Sequence, residues 1–227
     1  MQNRDWSSDV CSSDLECNLI AEYFKKYSPK SVRSVIDLGC GTGGHSFELA
    51  RMGYKVVGVD RSKNMIEAAR KKVKPVLAPE NPRFIENDIR SIMMDEKFDA
   101  AIMMFAVLGY QYTNQDVLSA LRAVRSLLDT GGVFIFDVWF GPAVLSIKPS
   151  DRIKLIETEN GNLLRSATGS LDVMRHLAEV KYHIWHFRDG AVRQEIEETH
   201  LMRYFFPMEL ALLLEVSGLW LLDLYDF

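Results

Sequence analysis

The sequence predicts an α/β fold built on a mostly parallel, doubly wound sheet, and three observations predict it. Between residues 34 and 139, short apolar runs alternate with helical patterns. Those runs are apolar throughout rather than at every second residue, as strands are when helices cover both faces of a sheet. The first run leads directly into a glycine-rich turn and then a helix, VIDLGCGTGGHS at 35–46.

The elements follow in order. Residues 17–27 form a helix with Leu19, Ile20, Tyr23, Phe24 and Tyr27 on one face. SVIDLG (34–39) is a strand, HSFELARMG (45–53) a helix stopped by Gly53, and KVVGVD (55–60) a second strand. Ser62 caps a helix that runs to about Val73. RFIEND (83–88) and FDAAIMMF (98–105) are the third and fourth strands. Thr113 caps a helix whose apolar positions run from Val117 to Leu128, and Gly131-Gly132 releases a fifth strand, VFIFDVW (133–139). The pattern then changes. Residues 152–168 and 176–204 alternate like two-faced antiparallel strands, with Asn160-Gly161 and Asp189-Gly190 as hairpin turns. The result is an antiparallel β insertion after strand 5, a substrate cap at about 141–204. Pro207 opens a helix to Val216, Gly218 ends it, and LWLLDLYDF (219–227) reads as a last strand.

Residues 1–15 stand apart. RDWSSDVCSSDL (4–15) has neither helical nor strand periodicity and none of the parts of a secretory signal. Its back-translation resembles a common short-read sequencing adapter over nearly its whole length. Residues 1–15 are therefore read as an assembly artefact, disordered and outside the fold. Residues 16–227 are read as a single domain.

The 227 residues carry a net charge of −4, which gives no electrostatic grip on a nucleic-acid backbone. No apolar run reaches membrane-spanning length. Beyond residue 15 only Cys17 and Cys40 remain, too few for a disulfide framework or a zinc site, so a reducing cytoplasm is expected.

The chemistry lies in the glycine turn. Gly39, Gly41 and Gly44 fit G-x-G-x-x-G between a strand and a helix, and Asp60 ends the second strand, where an acid accepts ribose hydroxyls. An adenosine-type cofactor is expected there. Asp37 and Asp88 add two more acids at the crevice, and no Lys or Arg lies within 35–50. Such a site repels a pyrophosphate and suits a ligand with an ammonium and a sulfonium. It favours S-adenosylmethionine (SAM) over NAD(P) or FAD, with a merely packing role for the glycines as the remaining reading.

These residues resemble the first motif of the class I SAM-dependent methyltransferases, DLGCGTG at 37–43, and the resemblance extends over about 17–227. It implies a Rossmann-like sheet with strand order 3-2-1-4-5 plus a C-terminal strand. It also implies positions for SAM: Asp37 and Gly39 by the methionine end, Gly41 and Gly43 allowing close approach, and Asp60 on the ribose. Asp88 would accept from the adenine amino group with the Ile89 backbone beside it, and the Phe105 carbonyl would accept from the ammonium. MFAVLGY (104–110), GGVFIFDVWF (131–140), the insertion and THLMRYFFPMEL (199–210) further resemble the nucleotide-linked aminosugar N,N-dimethyltransferases. In those enzymes two serines stand where this chain has Ala106 and Val107.

The expected reaction is transfer of a methyl group from SAM to a small-molecule amine such as an aminosugar. O-methylation of a small metabolite and SAM binding without turnover are the alternatives. Tyr110 and His200 are the catalytic candidates, weighed against a sheet-edge tyrosine and a surface-strand histidine. Asp137 and Trp139 are candidate pocket residues at the end of the fifth strand. His183, Trp185 and Phe187 share a strand face and read as the packed side of the insertion. His183 and His186 lack metal-ligand spacing, so no metal is expected. Cys40 has no evident base beside it. The expected partners are the acceptor and a second copy of the chain, docked through the β insertion, with neither nucleic acid nor membrane. Because the resemblance calls for two strands after the last helix and an N-terminal segment where 1–15 now stand, truncation at both ends is expected.

Overall fold

The computed structural model describes residues 11–73, 81–147, 151–158, 161–188 and 191–225. Trp6, Asn160, Asp189, Gly190 and the end of the expected last strand at 226–227 lie outside the described residues. The chain divides into two compact units, Met1–Val107 with Gln115–Asp137 and Ala211–Phe227, and Leu108–Asn114 with Val138–Leu210.

The first unit holds a five-stranded sheet in the order β3-β2-β1-β4-β5, all parallel. The strands are β1 (Ser34–Leu38), β2 (Lys55–Asp60), β3 (Arg83–Glu86), β4 (Phe98–Met103) and β5 (Leu128–Phe136). Val35, Ile36, Leu38, Val56, Val57, Val59 and Ala100 to Met103 are essentially fully buried, as their unbroken apolar runs require. Burial of each large aliphatic side chain contributes about 1.5–3 kcal/mol. Helices α1 (Cys11–Tyr27), α2 (Gly44–Arg51), α3 (Lys63–Lys72) and α4 (Asn114–Leu127) complete the βα alternation. Cys17, Ile20 and Phe24 of α1 pack with Leu49 of α2 and Val56 of β2. On α3, Ile66 and Ala69 pack on Phe84. Ser62 caps α3 as expected, its Oγ accepting from the Met65 N–H at 3.4 Å.

Three expectations for this unit are corrected. First, α1 begins at Cys11, so residues 11–15 are helical rather than disordered. A helix already held at Cys17, Ile20 and Phe24 extends at little cost, because nucleation is the expensive step. Asp14 in its first turn suits the helix dipole, and Leu15 is exposed. Second, β5 starts at Leu128, and Gly131-Gly132 lies inside it. Its register against β4 jumps from Phe98↔Leu128 to Ala100↔Val133, so the glycines form an irregularity within the strand. Third, residues 219–225 form no strand, and the expected C-terminal strand is absent among the described residues. Its polar residues fasten to α1 instead. The Tyr225 ring stacks on Tyr23 at 5.0 Å, Lys26 Nζ donates to the Tyr225 hydroxyl at 2.6 Å, and Tyr27 Oη donates to Asp223 Oδ2 at 2.6 Å.

The second unit holds a sheet in the order β6-β10-β9-β8-β7, antiparallel except for β6 on β10. Its strands are β6 (Trp139–Phe140), β7 (Arg152–Thr158), β8 (Gly161–Asp172), β9 (Leu177–Arg188) and β10 (Ala191–Phe205). Helix α5 (Gly141–Ile147) follows β6, and α6 (Pro207–Val216) follows β10. Trp139 therefore lies on its own short strand opposite Tyr204, not at the end of the fifth strand. The turn between β8 and β9, Val173–His176, has neither Gly nor Pro and gave no turn signal. Asp172 Oδ1 holds it by accepting from the Arg175 N–H at 3.1 Å, and His176 takes a left-handed φ of 57°.

Candidate functional site

In the first unit the glycine turn closes on β2. The N–H groups of Gly39 and Cys40 both donate to the Val59 carbonyl, at 2.8 and 3.0 Å. Gly39 has φ +79°, and a Cβ there would stand 2.6 Å from the Val107 side chain. Gly43, at φ +87°, opens α2, and a Cβ there would meet Phe84 at 2.7 Å. At Gly41, φ +54°, a Cβ would meet nothing within 4 Å, so the turn leaves open space at this position. Asp60 closes the loop from the other side. Its Oδ2 accepts from the Gly41 N–H at 2.9 Å and its Oδ1 from the Ser62 N–H at 2.8 Å. Each oxygen keeps a lone pair for a further donor.

The other two acids are engaged differently. Asp37 is 2% exposed and accepts from Ser46 Oγ at 2.5 Å. Burial pushes its carboxyl above the usual range, although His45 and Ser46 oppose that. Asp88 is clasped by Arg90, whose Nε and Nη2 reach its two oxygens at 3.0 and 2.6 Å, while Nη1 reaches Asp116 at 2.8 Å. The Arg90 hydrogen bonds hold the Asp88 carboxyl below its ordinary value. The 35–50 window contains no Lys or Arg, but Arg90 brings a guanidinium to Asp88. Ile89 beside it is buried.

The chain after β4 turns through two non-glycine residues with left-handed φ, Phe105 at 64° and Ala106 at 53°. Backbone of this kind stores strain and needs an external hold. Asp137 provides it, both carboxylate oxygens accepting from the Ala106 N–H at 3.0 Å. Burial raises the Asp137 carboxyl, with the Ala106 N–H opposing. The sequence reading missed His45 at this end of the sheet. It is 6% exposed, its Nε2 lies 3.0 Å from Glu16 Oε2, and its ring meets the Phe105 ring edge-on at 5.2 Å. Burial alone would lower the imidazole; the Glu16 hydrogen bond and the charges of Asp37, Glu16 and Asp137 carry it above its ordinary value. His45 sits within the quoted motif. Its partner Glu16, 29 residues earlier, had no local signal. Burial pushes the Cys40 thiol up, which disfavours the thiolate.

In the second unit the two catalytic candidates meet. Tyr110 ends a 3-10 turn, Val107–Tyr110, and its hydroxyl lies 3.1 Å from His200 Nδ1. His200 Nε2 lies 3.3 Å from Glu198 Oε2, and the Tyr182 ring meets the imidazole edge-on at 5.6 Å. Trp139 pairs with Tyr204 in the same sheet. His183 does gain partners that its spacing did not suggest. It stacks on Trp185 at 3.8 Å, hydrogen-bonds to Glu195 and lies 3.7 Å from Glu197, because β10 runs antiparallel beside it. His183, Glu195 and Glu197 bring ligand atoms within 4.8 Å of one another, a group that could hold a metal ion. His186 is not among them.

The family described as "Methyltransferase domain" matches residues 35–132. A Bacillus subtilis protein named "Putative methyltransferase YqeM" is 30% identical over 179 residues, 77% of this chain and 68% of that protein. The dTDP-3-amino-3,4,6-trideoxy-alpha-D-glucopyranose N,N-dimethyltransferase of Streptomyces venezuelae is 27% identical over 127 residues, 56% of this chain. That match spans about half of the Streptomyces enzyme, 51% of its length. In fold, the chain is similar to a crystal structure of an S-adenosylmethionine-dependent methyltransferase from Clostridium acetobutylicum. The TM-score is 0.79 at 22% identity, over 96% of this chain and 83% of that one.

Proposed function

Because the chain belongs to the class I SAM-dependent methyltransferases, we propose that it transfers the methyl group to a small-molecule amine such as an aminosugar. One observation carries the site assignment: the open glycine turn at Gly41, clasped by the Asp60 carboxylate at 2.9 Å. An adenosine ligand fits a loop that leaves open space at Gly41 beside an acid with unused lone pairs. In this proposal Gly39, Gly41 and Gly43 let the ligand approach the backbone, and Asp60 accepts from the ribose hydroxyls. Asp37 and Gly39 lie toward the methionine end. The Phe105 carbonyl, set by the Asp137 brace on Ala106, accepts from the ammonium. Asp88 and the Ile89 backbone serve the adenine. When bound, SAM supplies an electrophilic methyl on a sulfonium.

A neutral amine needs alignment and a route for its proton rather than a strong base. The proposed route is Tyr110, His200 and Glu198. With His200 neutral, Tyr110 donates to Nδ1 and Nε2–H donates to Glu198, which is half-exposed. Trp139 is assigned to a pocket wall, and the reaction uses no metal. A cytoplasmic location, a homodimer through the β insertion, and partners other than nucleic acid or membrane belong to the same proposal. No described helix is long and apolar enough to cross a membrane.

Calorimetry with SAM tests the first step, and a methyl-transfer screen on amines, aminosugars, nucleotide sugars and hydroxyl acceptors tests the second. Asp60→Ala weakens SAM affinity about tenfold or more, since a hydrogen bond to a charged group contributes about 1.5–3 kcal/mol. An absence of SAM binding at millimolar concentration defeats the proposal, and transfer to hydroxyls alone replaces the amine by an oxygen acceptor. Tyr110→Phe lowers kcat on the amine while leaving SAM affinity unchanged.

A further inference from the structure

His183, Glu195 and Glu197 take no part in the proposed reaction. Strand register brings them together. β9 and β10 run antiparallel, with Glu197 opposite His183 and Glu195 opposite Trp185. Side chains alternate between the two faces of a sheet, so residues 183, 185, 195 and 197 share one face. His200 pairs with Val180 in the same ladder and therefore lies on the other face. The sheet itself separates this group from the Tyr110–His200 pair. Among the described residues it is the one group of three His, Cys, Asp or Glu side chains whose ligand atoms lie within 4.8 Å of one another.

The donors suit a metal ion. His183 Nε2 hydrogen-bonds to Glu195, and the same nitrogen lies 3.7 Å from Glu197 Oε1. A dication takes the place of the proton on Nε2, with the imidazole neutral and protonated at Nδ1. Tetrahedral ligands about 2.0–2.2 Å from Zn²⁺ stand roughly 3.3–3.6 Å apart. The His183–Glu197 separation is already close to that, and both glutamates are exposed enough to adjust by rotation. Trp185 supports the arrangement from outside the ligand set. Its ring stacks on His183 at 3.8 Å, and its Nε1–H donates to Glu195 Oε1 at 3.1 Å. A fixed imidazole and a hydrogen-bonded carboxylate are what outer partners provide around a metal. The two carboxylates sit two residues apart on one strand, and a dication relieves their repulsion. Lys181, the cation two residues along β9, pairs with Glu179 at 3.1 Å instead.

We propose that His183, Glu195 and Glu197 bind a divalent transition-metal ion such as Zn²⁺, which clips β9 to β10 and takes no part in methyl transfer. Three protein ligands leave the remaining position to water. One imidazole with two carboxylates favours such an ion over Ca²⁺ or Mg²⁺, which prefer oxygen ligands alone. The site does not depend on the methyltransferase reading, and each can fail without the other.

The test is calorimetry of the full untagged chain with Zn²⁺, and with Ca²⁺ and Mg²⁺ for comparison. One Zn²⁺ is expected to bind, about tenfold or more weakly in His183→Gln and in Glu195→Gln. These side chains are not buried, so the variants fold, which circular dichroism checks. His186→Gln, on the opposite face, binds Zn²⁺ as the wild type does. Paramagnetic Co²⁺ at the site quenches tryptophan fluorescence, and Trp185→Phe removes most of that quenching. The site is overturned if Zn²⁺ does not bind at submillimolar concentration, or if His183→Gln and Glu195→Gln both bind it unchanged. Undiminished Co²⁺ quenching in Trp185→Phe places the ion elsewhere and overturns it too. Binding of Ca²⁺ or Mg²⁺ in preference to Zn²⁺ removes the imidazole from the ligand set and defeats the assignment.

Discussion

Gly39 and Asp99 show how single residues are fixed by neighbours far along the chain. At Gly39, a Cβ would meet Val107 at 2.6 Å on a backbone with φ +79°. Gly39→Ala combines a clash with left-handed strain, so it destabilises by roughly 1–3 kcal/mol in urea unfolding and weakens SAM binding. Asp99 binds the loop before β1 to β4. It accepts from the Arg33 and Ser34 N–H groups at 2.9 and 3.0 Å and from Lys30 Nζ at 2.7 Å. Burial alone would raise its carboxyl; those donors bring it down to about 2. A folded-state value below the unfolded one adds stability above the ordinary aspartate range, and that stability is lost as pH falls from about 4 toward 2. The contribution is on the order of 1–2 kcal/mol after allowance for solvent screening. Asp99→Asn lowers stability at pH 7 and flattens the acid limb of a stability–pH curve; an unchanged acid limb would show that other carboxylates carry it. Gly39, Gly41, Gly43 and Asp60 were legible because a strand–glycine–helix turn with a distal acid is a local pattern. Neither the Glu16–His45 contact nor the Arg90 clasp on Asp88 could be read, since each depends on where a flexible side chain ends.

Among the elements, the strands and helices of the first unit were read closely because their apolar period is a local property. Ser62 carries a testable share of α3: Ser62→Ala removes the side-chain cap on the Met65 N–H and costs about 0.5–1 kcal/mol in thermal or urea unfolding. The misreadings have separate causes. LWLLDLYDF has the composition of a buried strand, but a strand needs a neighbouring edge and a face to cover. Trp220, Leu222 and Leu224 stay exposed while Asp223 and Tyr225 are held by α1. The Val173–His176 turn escaped notice for the opposite reason. Its hold is an aspartate side chain on the backbone, not a glycine or proline. Register likewise moved Trp139 off the fifth strand and onto β6.

For the whole molecule, the division into two compact units predicts unequal local stability. β4 is buried along almost its whole length, whereas β7 is a sheet edge with Ile153 and Leu155 exposed at 77% and 59%. Amide hydrogen exchange should therefore release β7 well before β4. Equal protection of the two strands would contradict this division of stability.

The sequence by itself determined the parallel α/β sheet, the glycine turn, the acid at the end of β2 and the existence of an antiparallel insertion. Each follows from apolar periodicity or turn chemistry over a few residues. Tertiary structure alone decided which polar groups meet: Tyr110 with His200 across 90 residues, Arg203 with Asn114 across 89, and Asp137 with the Ala106 N–H across 31. Strand register and the path of the chain between elements set those encounters, and neither is encoded in a short window.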